Sequence, residues 1–143
     1  MAAELSQEWQ TFFFELDDYL SRIPAVASEV AGKDPKLVPM PEYIGAMANG
    51  IQNFAAGVAE RGAGLSGEHA ERAAEALSAA QAARVLRGAS NLTSQAPIPQ
   101  KIGILKRGLG AAARTVAALA VAGPGSPDLS VLAHLLAGLD SLL

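Results

Sequence analysis

The sequence predicts an all-α fold: a single-domain bundle of about five helices, with a proline-rich connection between the first and second. Three observations lead there. Apolar residues recur at spacings of three and four along most of the chain; prolines, serines and glycines fall where helices start and stop; and the apolar half of the composition is mainly alanine and leucine, which suits close helix packing. At 143 residues the chain has the length of one typical domain. A domain of that size buries about 70% of the surface its unfolded chain exposes, so it needs no metal or disulfide to fold.

The first helix is expected from Glu4 to Ile23, where Leu5, Trp9, Phe12, Phe13, Leu16, Leu20 and Ile23 share one face. It holds five of the seven aromatic residues. At 100° per residue, Trp9, Phe12, Phe13, Leu16, Tyr19 and Leu20 fall within one arc of about 120° and belong to a core. Phe14 points the other way, into the sector of Gln7, Gln10, Thr11 and Asp18. It either meets the segment between Pro24 and Pro41 or serves a partner, since aromatics are enriched in interface cores.

Pro24 is expected to end that helix. The segment from Pro24 to Pro41 carries four prolines and reads as an ordered connection, because Val26, Val30, Leu37 and Val38 are too apolar to leave in water. A second helix is expected over 41–61, opened by Pro41, with Ile44, Met47, Ile51, Phe54 and Val58 as its stripe. A third is expected over 66–87. Ser66 would cap it, Glu68 would meet its dipole, and Gly88 would follow its end. Its alanine-rich face, with Leu77, Val85 and Leu86, is shallow.

A fourth helix is expected over 99–122 with Ile102, Leu105, Leu109, Ala112, Val116 and Leu119 inward, and Arg107, Gly110 and Arg114 on the opposite side. The fifth, over 127–142, starts with Ser126, Pro127 and Asp128 as cap, first residue and first-turn acid. It is apolar almost all round, as a central helix or one lacking its partner would be.

Composition excludes several functions. Without cysteine the chain has no disulfide framework, thiol nucleophile or thiolate metal site, and a reducing, cytoplasmic setting is expected. The start is acidic, unlike a secretory signal. Lys101, Lys106, Arg107 and Arg114 interrupt the most apolar long window, so no membrane-spanning helix is expected. The net charge of −3 divides into −6 for residues 1–60 and +3 for 61–143. With a pI near 5.3 and no dense basic stripe, a nucleic-acid partner is not expected.

Motifs that carry chemistry are few. Glu68, Glu71 and Glu75 share a helix face, but Arg72 lies four residues after Glu68 in ion-pairing order, and neither His69 nor His134 has the glutamate three residues earlier that di-iron bundles use. Asp17 and Asp18 lack the third acid of an aspartate-rich metal motif. The ending Gly138 to Leu143, "GLDSLL", resembles the phosphopantetheine attachment motif of acyl carrier proteins over six residues. In that family the serine begins a helix in mid-domain, with about as much chain after it as before, whereas Ser141 is two residues from the end of this sequence, so no prosthetic arm is expected. Phosphate loops, nucleophile elbows and dinucleotide fingerprints do not occur. No metal or cofactor is expected, and no catalytic residue is assigned.

The function expected is a non-catalytic protein-interaction module, an adaptor, assembly factor or regulatory subunit, whose partner is another protein or a second copy of itself. Phe14, Asp17, Asp18, Lys106, Arg107, Arg114, Leu142 and Leu143 are its candidate interface residues. The alternatives are a binder of a small apolar molecule held between helices, and a membrane-active protein using the cationic, amphipathic fourth helix together with the fifth.

Overall fold

The computed structural model describes residues 7–60, 73–122 and 127–143. Among them are five helices and no strand: α1 (Gln7–Lys33), α2 (Pro41–Glu60), α3 (Ala73–Gln95), α4 (Ile98–Ala122) and α5 (Pro127–Leu142). The all-α bundle is thus the architecture observed. The expected first turn from Glu4, the cap at Ser66 and the turn through Ser126 lie outside the described residues.

Helix α1 does not stop at Pro24 as expected but continues for nine more residues, to Lys33. An internal proline removes one backbone hydrogen bond and crowds the preceding turn, at about 3 kcal/mol. The apolar stripe continues past it, however: Ile23, Ala27 and Val30 are fully buried in line with Leu16 and Leu20. Burial of Val30, at about 1.5–3 kcal/mol, and of the Ala27 methyl, at about 0.8 kcal/mol, is comparable to that cost. The Pro24 ring is accommodated by Gly45 of α2, where a Cβ would sit 3.3 Å from the proline Cβ. The connection to α2 is therefore only residues 34–40, holding Pro35 and Pro39, with Val38 turned inward.

Helix α3 also outruns its expected end. Gly88 was the predicted stop, yet the helix continues to Gln95 because Leu86, Ala89, Ser90 and Thr93 prolong the buried face. The Thr93 hydroxyl is satisfied within the helix, donating toward the carbonyls of Ala89 (3.0 Å) and Ser90 (2.9 Å). Val85 is a second difference, being exposed where the inward face was expected to hold it. All six expected core positions of α4 are buried. In α2, Ile44, Ile51 and Val58 are buried with Ala48 and Ala55, while Met47 and Phe54 are half-buried.

The helices form a closed arrangement in which α1 packs on α2, α3 and α4, while α5 lies on α4 and α2. Glu29 near the end of α1 pairs with Lys101 near the start of α4, and Tyr19 reaches Leu105 further along, so these two helices run antiparallel. Lys106 near the start of α4 meets Asp140 near the end of α5, which makes α4 and α5 antiparallel too. One end of the bundle therefore gathers the α1–α2 connection, the α3–α4 hairpin and the end of α5. The apolar last helix is covered rather than missing a partner: Leu129, Leu132, Leu136 and Leu139 are buried, and Leu135, Leu142 and Leu143 pack against the same core.

Trp9, Phe12 and Phe13 join that core through edge-on and tilted ring contacts, with centroids 5.4–6.4 Å apart. Tyr19 lies deeper. Its hydroxyl donates to the Leu105 carbonyl of α4. A Cβ at Gly108, one turn on, would sit 2.5 Å from the Tyr19 hydroxyl oxygen and 2.7 Å from the ring carbon bearing it. Burial, and secondarily the negative charge of Asp140, hold the phenol well above its ordinary pKa.

Two predictions follow from this contact. Gly108→Ala should destabilise the protein by about 1–3 kcal/mol, because overpacking against a rigid ring outweighs a helix-propensity gain of up to about 1 kcal/mol. Gly103→Ala, at a site with nothing within 4 Å of the added Cβ, should be neutral or stabilising; comparable losses in a urea titration would contradict the assignment. The second concerns alkaline pH. Unfolded Tyr19 ionises near pH 10.0 while the folded phenol keeps its proton, so its contribution is fully present below pH 10.0 and lost above it, at up to about 1.4 kcal/mol per pH unit. The stability advantage of wild type over Tyr19→Phe should shrink as pH rises from 10.0. Parallel stability curves would refute this.

Candidate functional site

Polar side chains inside the fold are mostly used in joining helices. Lys101 is the clearest case: its side chain is only 8% exposed, and its ammonium lies 2.8 Å from Glu29 of α1. Glu15 of α1 is buried and accepts two hydrogen bonds from the Arg87 guanidinium of α3, at 2.8 and 3.1 Å. Lys106 pairs with the Asp140 carboxylate at 3.3 Å and donates to its carbonyl at 2.7 Å. These contacts fix helix positions.

The candidate interface residues are therefore not equivalent. Phe14 is 71% exposed, the most exposed large apolar side chain among the described residues, and it does not meet the connection after α1. Asp17, one turn on, is exposed and accepts a 3.2 Å hydrogen bond from the neutral Gln52 amide of α2. Asp18 is paired on its own helix with Arg22 at 3.0 Å. Lys106 is engaged by Asp140, and Leu142 and Leu143 are half-buried on the core.

Arg107 and Arg114 are exposed on α4 but occupy different places. Arg114 borders a shallow groove against α3, beside Gln81, Val85 and Thr115. Arg107 borders a hollow of about 450 Å³ at the α3–α4 hairpin. Leu92, Ala96 and Ile104 form the apolar wall of this hollow, with Gln95 and Gln100 beside them. Gly103 leaves its floor open. No acidic side chain lines the hollow, and Arg107 is in none of the ion pairs among the described residues.

The expected third helix ends at residue 87 and the fourth starts at 99, which leaves Leu92 between them and hides this hollow from the sequence. The signal was available: extending the spacing of Leu86, Ala89, Ser90 and Thr93 puts Leu92 outward, where it is 59% exposed. Spacing also does not mark Leu37, Met40 and Tyr43, three exposed apolar residues at the α1–α2 connection and the start of α2.

Among the described residues, no group of three or more histidine, aspartate or glutamate side chains could hold a metal ion, and no helix is long and apolar enough to cross a membrane. His134 is exposed on α5; Ser66, Glu68, His69 and Glu71 lie outside the described residues, as does the Glu75 side chain. Ser141 lies in the last turn of α5 and donates back to the Ala137 carbonyl at 3.1 Å, a context unlike that of a prosthetic-group serine opening a helix. Comparison with known proteins gives no match: no family model, curated protein or solved structure aligns significantly with the chain.

The Lys101 pair supplies a third prediction. Glu29→Gln leaves a buried ammonium without a counter-charge and should cost about 1–3 kcal/mol, whereas Lys101→Met replaces the charge with an apolar chain of similar length and should change stability far less. Chemical denaturation of both variants checks this. Equal losses would mean that the charge itself is not the penalty.

Proposed function

We propose that this protein is a non-catalytic helical interaction module that works in the cytoplasm by contacting another protein or a second copy of itself. The observation that carries this reading is Phe14. Every other aromatic of α1 is buried, yet this one stands 71% exposed in mid-helix beside an exposed acid, Asp17. Exposed apolar residues scattered singly are ordinary. A large aromatic is also the residue type enriched in the cores of protein interfaces.

The remaining surface supports the same role. Leu37, Met40 and Tyr43 are exposed at the end of the bundle that also carries Leu92. Acidic residues concentrate in the first 60 positions and basic ones in the rest, an arrangement suited to steering a charged partner into register. A chain without cysteine is compatible with a reducing compartment.

The test is affinity capture from host lysate on immobilised wild-type chain and on Phe14→Ser, with light scattering on both. The substitution should leave stability within about 0.5 kcal/mol, as expected at an exposed site. It should weaken association by about tenfold or more. Identical retention and identical masses for the two chains would remove Phe14 as the anchor. A wild-type chain that retains nothing and stays at 14.6 kDa would overturn the interaction role.

A further inference from the structure

We infer that the occupant of the α3–α4 hollow is the Phe14 side chain of a second copy, so that the protein associates head to tail. This deepens the interaction role proposed above and rests on it. The two surfaces are complementary in polarity and charge. One is an exposed aromatic on α1 followed one turn later by Asp17, an acid whose observed partner is a neutral amide. The other is a hollow of about 450 Å³ with an apolar wall of Leu92, Ala96 and Ile104 and one cation, Arg107. Phe14 fills the apolar part, and Asp17 reaches the guanidinium.

The size supports an aromatic ring as the occupant. Small-molecule sites run from about 300 to 1,000 Å³, so this hollow admits a ring with space beside it. The charge supports a second copy. The hollow presents a cation without an acid, Phe14 has the exposed acid Asp17 one turn away, and the chain divides into acidic and basic parts in the same sense. The paired cations Lys101 and Lys106 are held by Glu29 and Asp140, which leaves Arg107 as the charge available at the hollow.

Symmetry then dictates the form of the assembly. The Phe14 surface on α1 and the hollow on α3 and α4 are different patches, so a contact that seats one Phe14 per pair of copies is heterologous. It produces an open chain of copies unless its rotation happens to close a ring. One aromatic and one ion pair make a small contact, below the roughly 1,200 Å² of a stable interface, so association is weak and grows with concentration.

The experiment is sedimentation velocity on the full chain from micromolar to millimolar concentration, alone and in mixtures of variants. Wild type should rise above 14.6 kDa with no plateau at the dimer, and added salt should reduce the rise. Phe14→Ser and Gly103→Leu should each remain monomeric. The leucine has room, since nothing lies within 4 Å of the new Cβ, and its side chain takes up part of the hollow that the ring needs. An equimolar mixture of the two should form a dimer and stop there, because one copy keeps the hollow and the other keeps Phe14. Arg107→Glu is the second hollow variant, used if Gly103→Leu loses its helical circular dichroism.

A mixture that stays monomeric while wild type associates overturns the assignment. So does a wild type that plateaus at a dimer insensitive to both substitutions, or one that associates until Tyr43→Ser alone abolishes it. A wild type that remains at 14.6 kDa throughout also overturns self-association. In that case the interaction role is decided separately by the capture experiment.

Discussion

Tyr19 can lie against the backbone of α4 only because position 108 has no side chain, and much of the bundle's geometry depends on that contact. The phenol bridges α1 to α4 by donating to the Leu105 carbonyl. It thereby sets the separation of the two helices, and α1 also packs on α2 and α3. A larger residue at Gly108 would push α1 away from α4, and the alanine-rich face of α3, where Leu86 is the one large apolar side chain among the described core residues, has little to fill the gap. Close-packed interiors respond to such a shift as a unit.

The rest of the stabilisation is shared between a continuous apolar core and a few charged links. The core runs from Trp9 to Leu139, and its members on α3 are mostly alanines, which explains how a chain with few aromatics fills its interior. Around it, Glu15 with Arg87, Glu29 with Lys101, and Lys106 with Asp140 join helices distant in sequence. Partly buried ion pairs add little net stability, but losing one partner is costly because it leaves the other charge uncompensated. Their use here places α3, α4 and α5 in definite positions. It also removes most of the interior charges from any outward role, so the surface chemistry falls to Phe14, Asp17, Arg107 and the apolar residues at the hairpin end.

The helix count and the inward faces were legible in the sequence. The stripe of α4 from Ile102 to Leu119 is buried as its spacing predicts, and so are Trp9, Phe12, Phe13 and Tyr19, because helical periodicity is a local property of the chain. The ends of α1 and α3 were less legible. Pro24 and Gly88 are local stop signals, and both were overridden by burial of the residues beyond them, Ala27 and Val30 in one case and Ala89 and Thr93 in the other. A stop signal of a few kcal/mol yields when the following turns bury enough surface.

The sequence by itself determined most of the residues that turn inward, the outward placement of Phe14, and the absence of thiol chemistry, since these depend on residue identity and on spacing within one helix. The partners of charges were decided only by tertiary structure. Helical phase turns Arg107 away from the stripe, but nothing local shows that Lys106 is held by Asp140 while Arg107 stands at the edge of an apolar hollow. Likewise, α5 could be recognised as apolar all round, but whether Leu142 and Leu143 were surplus or covered depended on where α2 and α4 lay. Spacing fixes direction about one helix axis, whereas a contact between helices depends on the relative placement of several axes, which no single stretch of the chain encodes.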